Sequence, residues 1–66
     1  MNEDKIEEFD NLMQAGLDEV ATDGAESDIA IEYFTDAAFV LNSIEDSSLR
    51  ESLATKYEIN PLDYAQ

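Results

Sequence analysis

The fold of this chain turns on residues 28–42, Asp28-Ile29-Ala30-Ile31-Glu32-Tyr33-Phe34-Thr35-Asp36-Ala37-Ala38-Phe39-Val40-Leu41-Asn42. The opening Ile29-Ala30-Ile31-Glu32-Tyr33 admits a strand reading. The alternation that a half-buried strand needs fails at Phe34, however, and Ala37-Ala38 favours helix. At helical pitch the ten apolar residues surround most of the wheel, and Asp28, Glu32, Thr35 and Asp36 form one narrow polar stripe. A helix apolar almost all round is central to its domain, or buries a second face against another subunit. Ser27 or Asp28 is its expected start.

The segment before it carries Ile6, Phe9, Leu12, Met13, Leu17 and Val20 at three- and four-residue intervals. These fall within an arc of roughly 140° on a helical wheel. Gly16 lies inside that arc, where a missing side chain admits a neighbouring helix closely. Asp4, Glu7, Glu8, Asp18 and Glu19 lie opposite. Asn2 is the expected N-cap, Glu3 and Asp4 suit the positive end of the helix dipole, and Thr22-Asp23-Gly24 supplies the stop.

Downstream, Ser48-Leu49-Arg50-Glu51 has the spacing of a capping box, and Leu49, Leu53 and Tyr57 form an i, i+4, i+8 row with Lys56 near the C-terminal end. Asn60-Pro61 breaks that pattern and opens one further short helical turn. The sequence therefore predicts an all-α single domain spanning residues 1–66. Its helices lie over about 3–22, 28–42 and 47–58, packed as a small antiparallel three-helix bundle with a turn at 61–64. The expected core is Phe9, Leu12, Met13, Leu17, Ile31, Phe34, Ala38, Leu41, Leu49 and Leu53.

Composition narrows the chemistry. Seventeen Asp and Glu oppose three Lys and Arg in 66 residues, a formal charge of -14 at pH 7, with no cysteine and no histidine. The usual catalytic bases and nucleophiles are thus missing, three cations cannot build a phosphate clamp, and solvated acids lack the desolvated cleft that carboxylate catalysis needs. We expect no enzyme and no cofactor. The acidic loop Asp23-Gly24-Ala25-Glu26-Ser27-Asp28 fails as a calcium loop, because with Gly24 at the sixth position Ala21 and Ala30 stand where oxygen ligands are required. No metal site is expected. Met1-Asn2-Glu3-Asp4-Lys5 lacks the basic and apolar regions of a secretory leader, and Ala37 to Ile44 is too short to cross a bilayer. A cytoplasmic location without membrane binding is the expectation. Nucleic acid is not an expected direct ligand, since its phosphates repel such a surface.

The arrangement of the acids is more specific than their number. Asp28, Glu32 and Asp36 form a row spaced about 6 Å along the helix axis. Glu3 with Glu7 and Asp4 with Glu8 repeat that spacing, and no basic residue occurs between Lys5 and Arg50. Ordinary solvated helix faces mix signs, because opposite charges at i, i+4 stabilise and like charges cost about 0.2–0.5 kcal/mol per pair. Rows of carboxylates can imitate the phosphate line of a nucleic-acid strand, whose charges follow at about 3.4 Å of axial rise.

In size and charge the chain resembles the small acidic proteins that phages and mobile elements direct against host nucleic-acid enzymes. That resemblance implies an inhibitor acting as a DNA or RNA mimic, in the host cytoplasm if phage-encoded. Its partner would be the basic groove of a nuclease, polymerase or other nucleic-acid-binding protein. The expected contact residues are Asp28, Glu32 and Asp36, with Glu7, Glu8, Asp18 and Glu19 as a second row. The competing expectation is an adaptor or accessory subunit that docks through apolar helix surface, with acidity serving solubility. A homodimer through the second helix is a further use of its spare apolar face. Leu62 and Tyr64 either anchor a C-terminal linear motif in a partner or fold back onto the bundle.

Overall fold

A computed structural model describes residues 2–64, with the side chain of Asn2 left out. Three helices and a 3-10 turn make up its regular structure: α1 (Asn2–Asp23), α2 (Asp28–Asn42), α3 (Ser47–Ala54) and the turn Pro61–Tyr64. At 1.5 Å per residue, the 22 residues of α1 give about 33 Å, which matches the longest dimension of the molecule, 33 Å. α1 is the longest element, and α2 packs along it.

Local chemistry sets each boundary. Gly24 takes φ +95°, a conformation costly for a side-chain-bearing residue, and its N–H donates to the Val20 carbonyl at 2.9 Å, closing α1. Three residues later Ser27 caps α2. Its hydroxyl oxygen accepts from the Ala30 N–H at 3.4 Å, and its O–H donates to Glu19 Oε1 at 3.2 Å. One serine therefore both starts α2 and ties it back to α1. Asn2, the expected cap, is itself helical, and what precedes it lies outside the described residues.

The third helix begins at Ser47 as expected, but its cap and its end differ. Its cap is Asp46, whose Oδ1 accepts from the Ser48 and Leu49 N–H groups at 3.0 and 3.2 Å, so Ser48 and Glu51 form no capping box. A carboxylate two residues earlier reaches the free N–H groups first, and helix geometry then places Leu49 rather than Glu51 at the third position. The helix stops at Ala54, not near residue 58. Thr55, the C-cap, takes φ -103° and ψ 2°, and the Lys56 N–H closes the end on the Leu53 carbonyl at 3.2 Å, a bond three residues back instead of four. Leu49 and Tyr57 do pack on the core, as their spacing suggested, but Tyr57 reaches it from beyond the helix.

α1 and α2 run antiparallel with the largest interface of the fold between them. Next in extent, α2 packs on the Pro61–Tyr64 turn, and only slightly on α3. The third wall of the core is thus built mainly from the C-terminal turn. The buried apolar residues are Phe9 and Met13 of α1, Ala30, Phe34, Ala37, Ala38 and Leu41 of α2, Ile44, and Leu53 and Ala54 of α3. Leu12, Leu17 and Leu49 pack at the margin. Ile31 does not join the core, and is 36% exposed. Its place on the wheel lies beyond the arc that α1 and the turn cover. Small Ala30, Ala37 and Ala38 occupy much of the inner face instead, letting the elements approach closely.

Candidate functional site

All three basic side chains are engaged within the fold. Lys5 Nζ donates to the Ser43 carbonyl at 2.9 Å, and Arg50 Nη1 donates to the Ile44 carbonyl at 2.7 Å and the Glu45 carbonyl at 3.4 Å. Two cations therefore converge at the C-terminal end of α2, the negative end of its dipole, where they answer backbone carbonyls. The third, Lys56, lies 3.1 Å from Asp10 Oδ1.

On α2, Asp28, Glu32 and Asp36 are all exposed, on the side of the helix opposite the buried Ala30, Phe34 and Leu41. On α1, Glu7, Glu8 and Asp18 are exposed and Glu19 is half-buried. The α1 row is not continuous: Asn11, Gln14 and Ala15 separate Glu8 from Asp18 over about 15 Å of helix. Since α1 and α2 pack through their buried faces, their acidic rows point apart. What the hairpin brings together is its tip, where Asp18, Glu19 and Asp23 close α1 and Glu26 and Asp28 lead into α2.

The Glu19–Asp23 pair at this tip shows the cost of crowding. A hydrogen bond to Asp23, partial burial and the Asp23 charge raise the Glu19 pKa, and the Ser27 hydroxyl opposes them. A raised carboxyl pKa contributes stability that is present below the ordinary glutamate value and lost as pH rises through the folded one.

Sequence reasoning missed Asp10. The Tyr57 O–H donates to Asp10 Oδ1 at 2.6 Å, and Lys56 Nζ reaches both its oxygens at 3.1 and 3.2 Å. This clasp fastens the segment after α3 to α1, while the Tyr57 ring lies against Phe9 with centroids 6.1 Å apart. The available signal was the position of Asp10 on the flank of the apolar arc, next to Ile6 and Leu17 on the wheel. Burial, then the hydrogen bond to Asp10 and its charge, raise the Tyr57 pKa, with Lys56 and Gln14 opposing. The same contact raises the pKa of Lys56.

For Tyr57 the neutral, protonated form is favoured by folding. Its contribution is complete below the ordinary tyrosine value of 10.0 and disappears as pH rises through the higher folded value. Tyr57→Phe should cost about 1 kcal/mol near neutral pH, the net worth of one hydrogen bond, and should blunt the alkaline fall in stability. Urea titrations from pH 7 to 11 measure both effects. An unchanged alkaline limb in the variant would remove Tyr57 from the account.

Leu62 and Tyr64 are half-buried and pack on the core, Tyr64 with its ring 5.2 Å from that of Phe34. A depression of about 360 Å³ is lined by Ser47, Arg50, Glu51, Ala54, Thr55, Asn60 and Leu62. Arg50 is its one cation, and its guanidinium is already committed to backbone carbonyls. Among the described residues no three carboxylates converge on a metal position, and no helix is long and apolar enough to cross a membrane. No known family, curated protein or solved structure matches this chain.

Proposed function

We propose that this chain is a small acidic binding protein that occupies the basic groove of a nucleic-acid-binding enzyme and competes there with DNA or RNA. The observation carrying the reading is the internal use of every cation. Lys5 answers the Ser43 carbonyl at the end of α2, Arg50 those of Ile44 and Glu45 just beyond it, and Lys56 holds Asp10, so the outward faces of α1 and α2 keep most of their negative charge. Self-repulsion at -14 opposes folding, and a cationic partner relieves it. Attraction of this kind speeds association and weakens steeply with added salt. Inhibition in the manner of a phage or mobile-element anti-defence protein is the biological form that fits such a mimic.

The α2 row is the first contact to test. Asp28→Lys/Asp36→Lys changes two exposed positions, leaving the core intact, and should reduce capture of a partner from lysate by at least about tenfold at low salt. The captured wild-type complex should release its partner when duplex DNA is added. Retention of the partner by the double variant, through a high-salt wash and indifferent to DNA, would favour an adaptor instead. That second reading has its own observation: Phe39 is 66% and Ile29 54% exposed, both on α2.

A further inference from the structure

The exposed residues of α2 form a pattern that neither acidity nor hydrophobicity describes alone. Ile29, Glu32, Asp36 and Phe39 are all exposed. They follow one another at intervals of three, four and three residues, which places them in one arc of about 80° on the helix. The two apolar side chains stand about 15 Å apart along the axis, with the two carboxylates between them. Three-four-three is the spacing of the seam by which one helix packs along another. The face is thus a helix-packing seam of nearly three turns whose ends are apolar and whose centre is acidic.

We infer that this seam docks a basic amphipathic helix of a partner protein. That helix presents an apolar residue, two Lys or Arg, and a second apolar residue at the same spacing. The inference rests on the basic-partner reading above and deepens it by naming the element that is recognised. Charge complementarity decides the occupant. A second copy of this chain would set Glu32 and Asp36 against Asp36 and Glu32, because the pattern reads the same in both directions, and parallel and antiparallel pairing alike oppose carboxylates. The cations cannot come from within the fold, where Lys5, Arg50 and Lys56 are engaged. In a heterologous pairing, Phe39 and Ile29 supply the desolvated anchors and the acids set register. Either partner direction is accommodated.

The test uses two synthetic peptides on a neutral Ala/Gln helix. One carries Leu-Lys-Lys-Leu at the three-four-three spacing, and the other has the same composition with both lysines moved to its opposite face. In calorimetric titrations of the full chain at physiological salt, the matched peptide should bind at least about tenfold more tightly than the control. Phe39→Ala should lose about tenfold of that affinity with little change in its salt dependence. Glu32→Lys/Asp36→Lys should abolish binding, and Glu7→Lys/Glu8→Lys on α1 should leave most of it. Circular dichroism confirms that these surface variants keep their helix content.

Equal, salt-sensitive binding of both peptides, unaffected by Phe39→Ala, would overturn the seam while leaving the general attraction to basic surfaces in place. Matched binding that ignores both salt and the Glu32→Lys/Asp36→Lys change would overturn the basic-partner reading as well. A dimer in sedimentation, dissociated by Phe39→Ala, would assign the face to a second copy and sink the proposal.

Discussion

Phe34→Ala should leave the chain largely unfolded at room temperature. Phe34 is fully buried at the centre of the α1–α2 contact, and its ring also meets Tyr64 of the C-terminal turn at 5.2 Å. Truncating a buried phenylalanine costs about 3–5 kcal/mol, combining lost transfer energy with the cavity left behind. A domain of this size commands roughly 3–10 kcal/mol in all, at about 0.05–0.15 kcal/mol per residue. There is no disulfide to hold the remainder. Far-UV circular dichroism and urea titration would show the loss directly. Because the ring joins α1 to the turn that walls the core, all three elements should melt together. A variant that keeps a cooperative transition within 1 kcal/mol of wild type, an order-of-magnitude threshold, would show that Phe34 is not the keystone of the fold.

The second large effect comes from the other side of the same contact. A Cβ built on Gly16 would lie 2.6 Å from Phe34 Cε1 and 3.0 Å from Cδ1 and Cζ. Alanine is worth about 1 kcal/mol more than glycine in a helix interior, so propensity alone predicts stabilisation. Overpacking a well-filled core costs about 1–3 kcal/mol, and here the ring has no free side toward which to move. Gly16→Ala should therefore destabilise, by up to about 2 kcal/mol after the propensity gain. Phe34→Leu removes the offending ring atoms. In that background the same Gly16→Ala change should reverse sign and stabilise by up to about 1 kcal/mol. The sign reversal in a double-mutant cycle is the decisive reading, and Gly16→Ala that stabilises the wild-type chain would refute the contact.

Both effects are half legible in the sequence. Gly16 stood inside the apolar arc of the first segment, which marks a close approach, yet nothing in the sequence says that the approaching atom is the ring of Phe34. Helical spacing likewise placed α1 and α2 to within a residue or two, and Gly24 and Ser27 announced the turn between them. The third segment was less legible. The row Leu49, Leu53, Tyr57 correctly marked three residues that face the core, but equal spacing cannot distinguish a helix that continues from a chain that bends after Ala54 and returns. The bend comes at Thr55, which leaves helical geometry, and Lys56 closes the end on the Leu53 carbonyl.

The acidic rows divide in the same way. That Asp28, Glu32 and Asp36 share one exposed stripe follows from spacing alone, and the structure adds that Phe39 and Ile29 stand exposed among them. Whether Ile31 and Phe39 face the core or solvent was not distinguishable on a wheel with apolar residues nearly all round, and the structure leaves both exposed. Which arc is covered depends on where α1 and the C-terminal turn lie, and those directions are set by partners distant in sequence.

By itself, then, the sequence determined what depends on neighbours along the chain: helix, turn and cap chemistry, the acidic stripe and the absence of thiol and imidazole chemistry. Tertiary structure alone decided what depends on residues brought together from afar. It set Phe34 over Gly16, gave Asp10 to Tyr57 and Lys56, and tied all three cations to partners distant in the chain or beyond their own helix turn. The physical reason is range. Helical periodicity is a local property repeated every 3.6 residues, whereas burial and charge pairing are properties of surfaces, and a surface has no identity until the elements that cover it have docked.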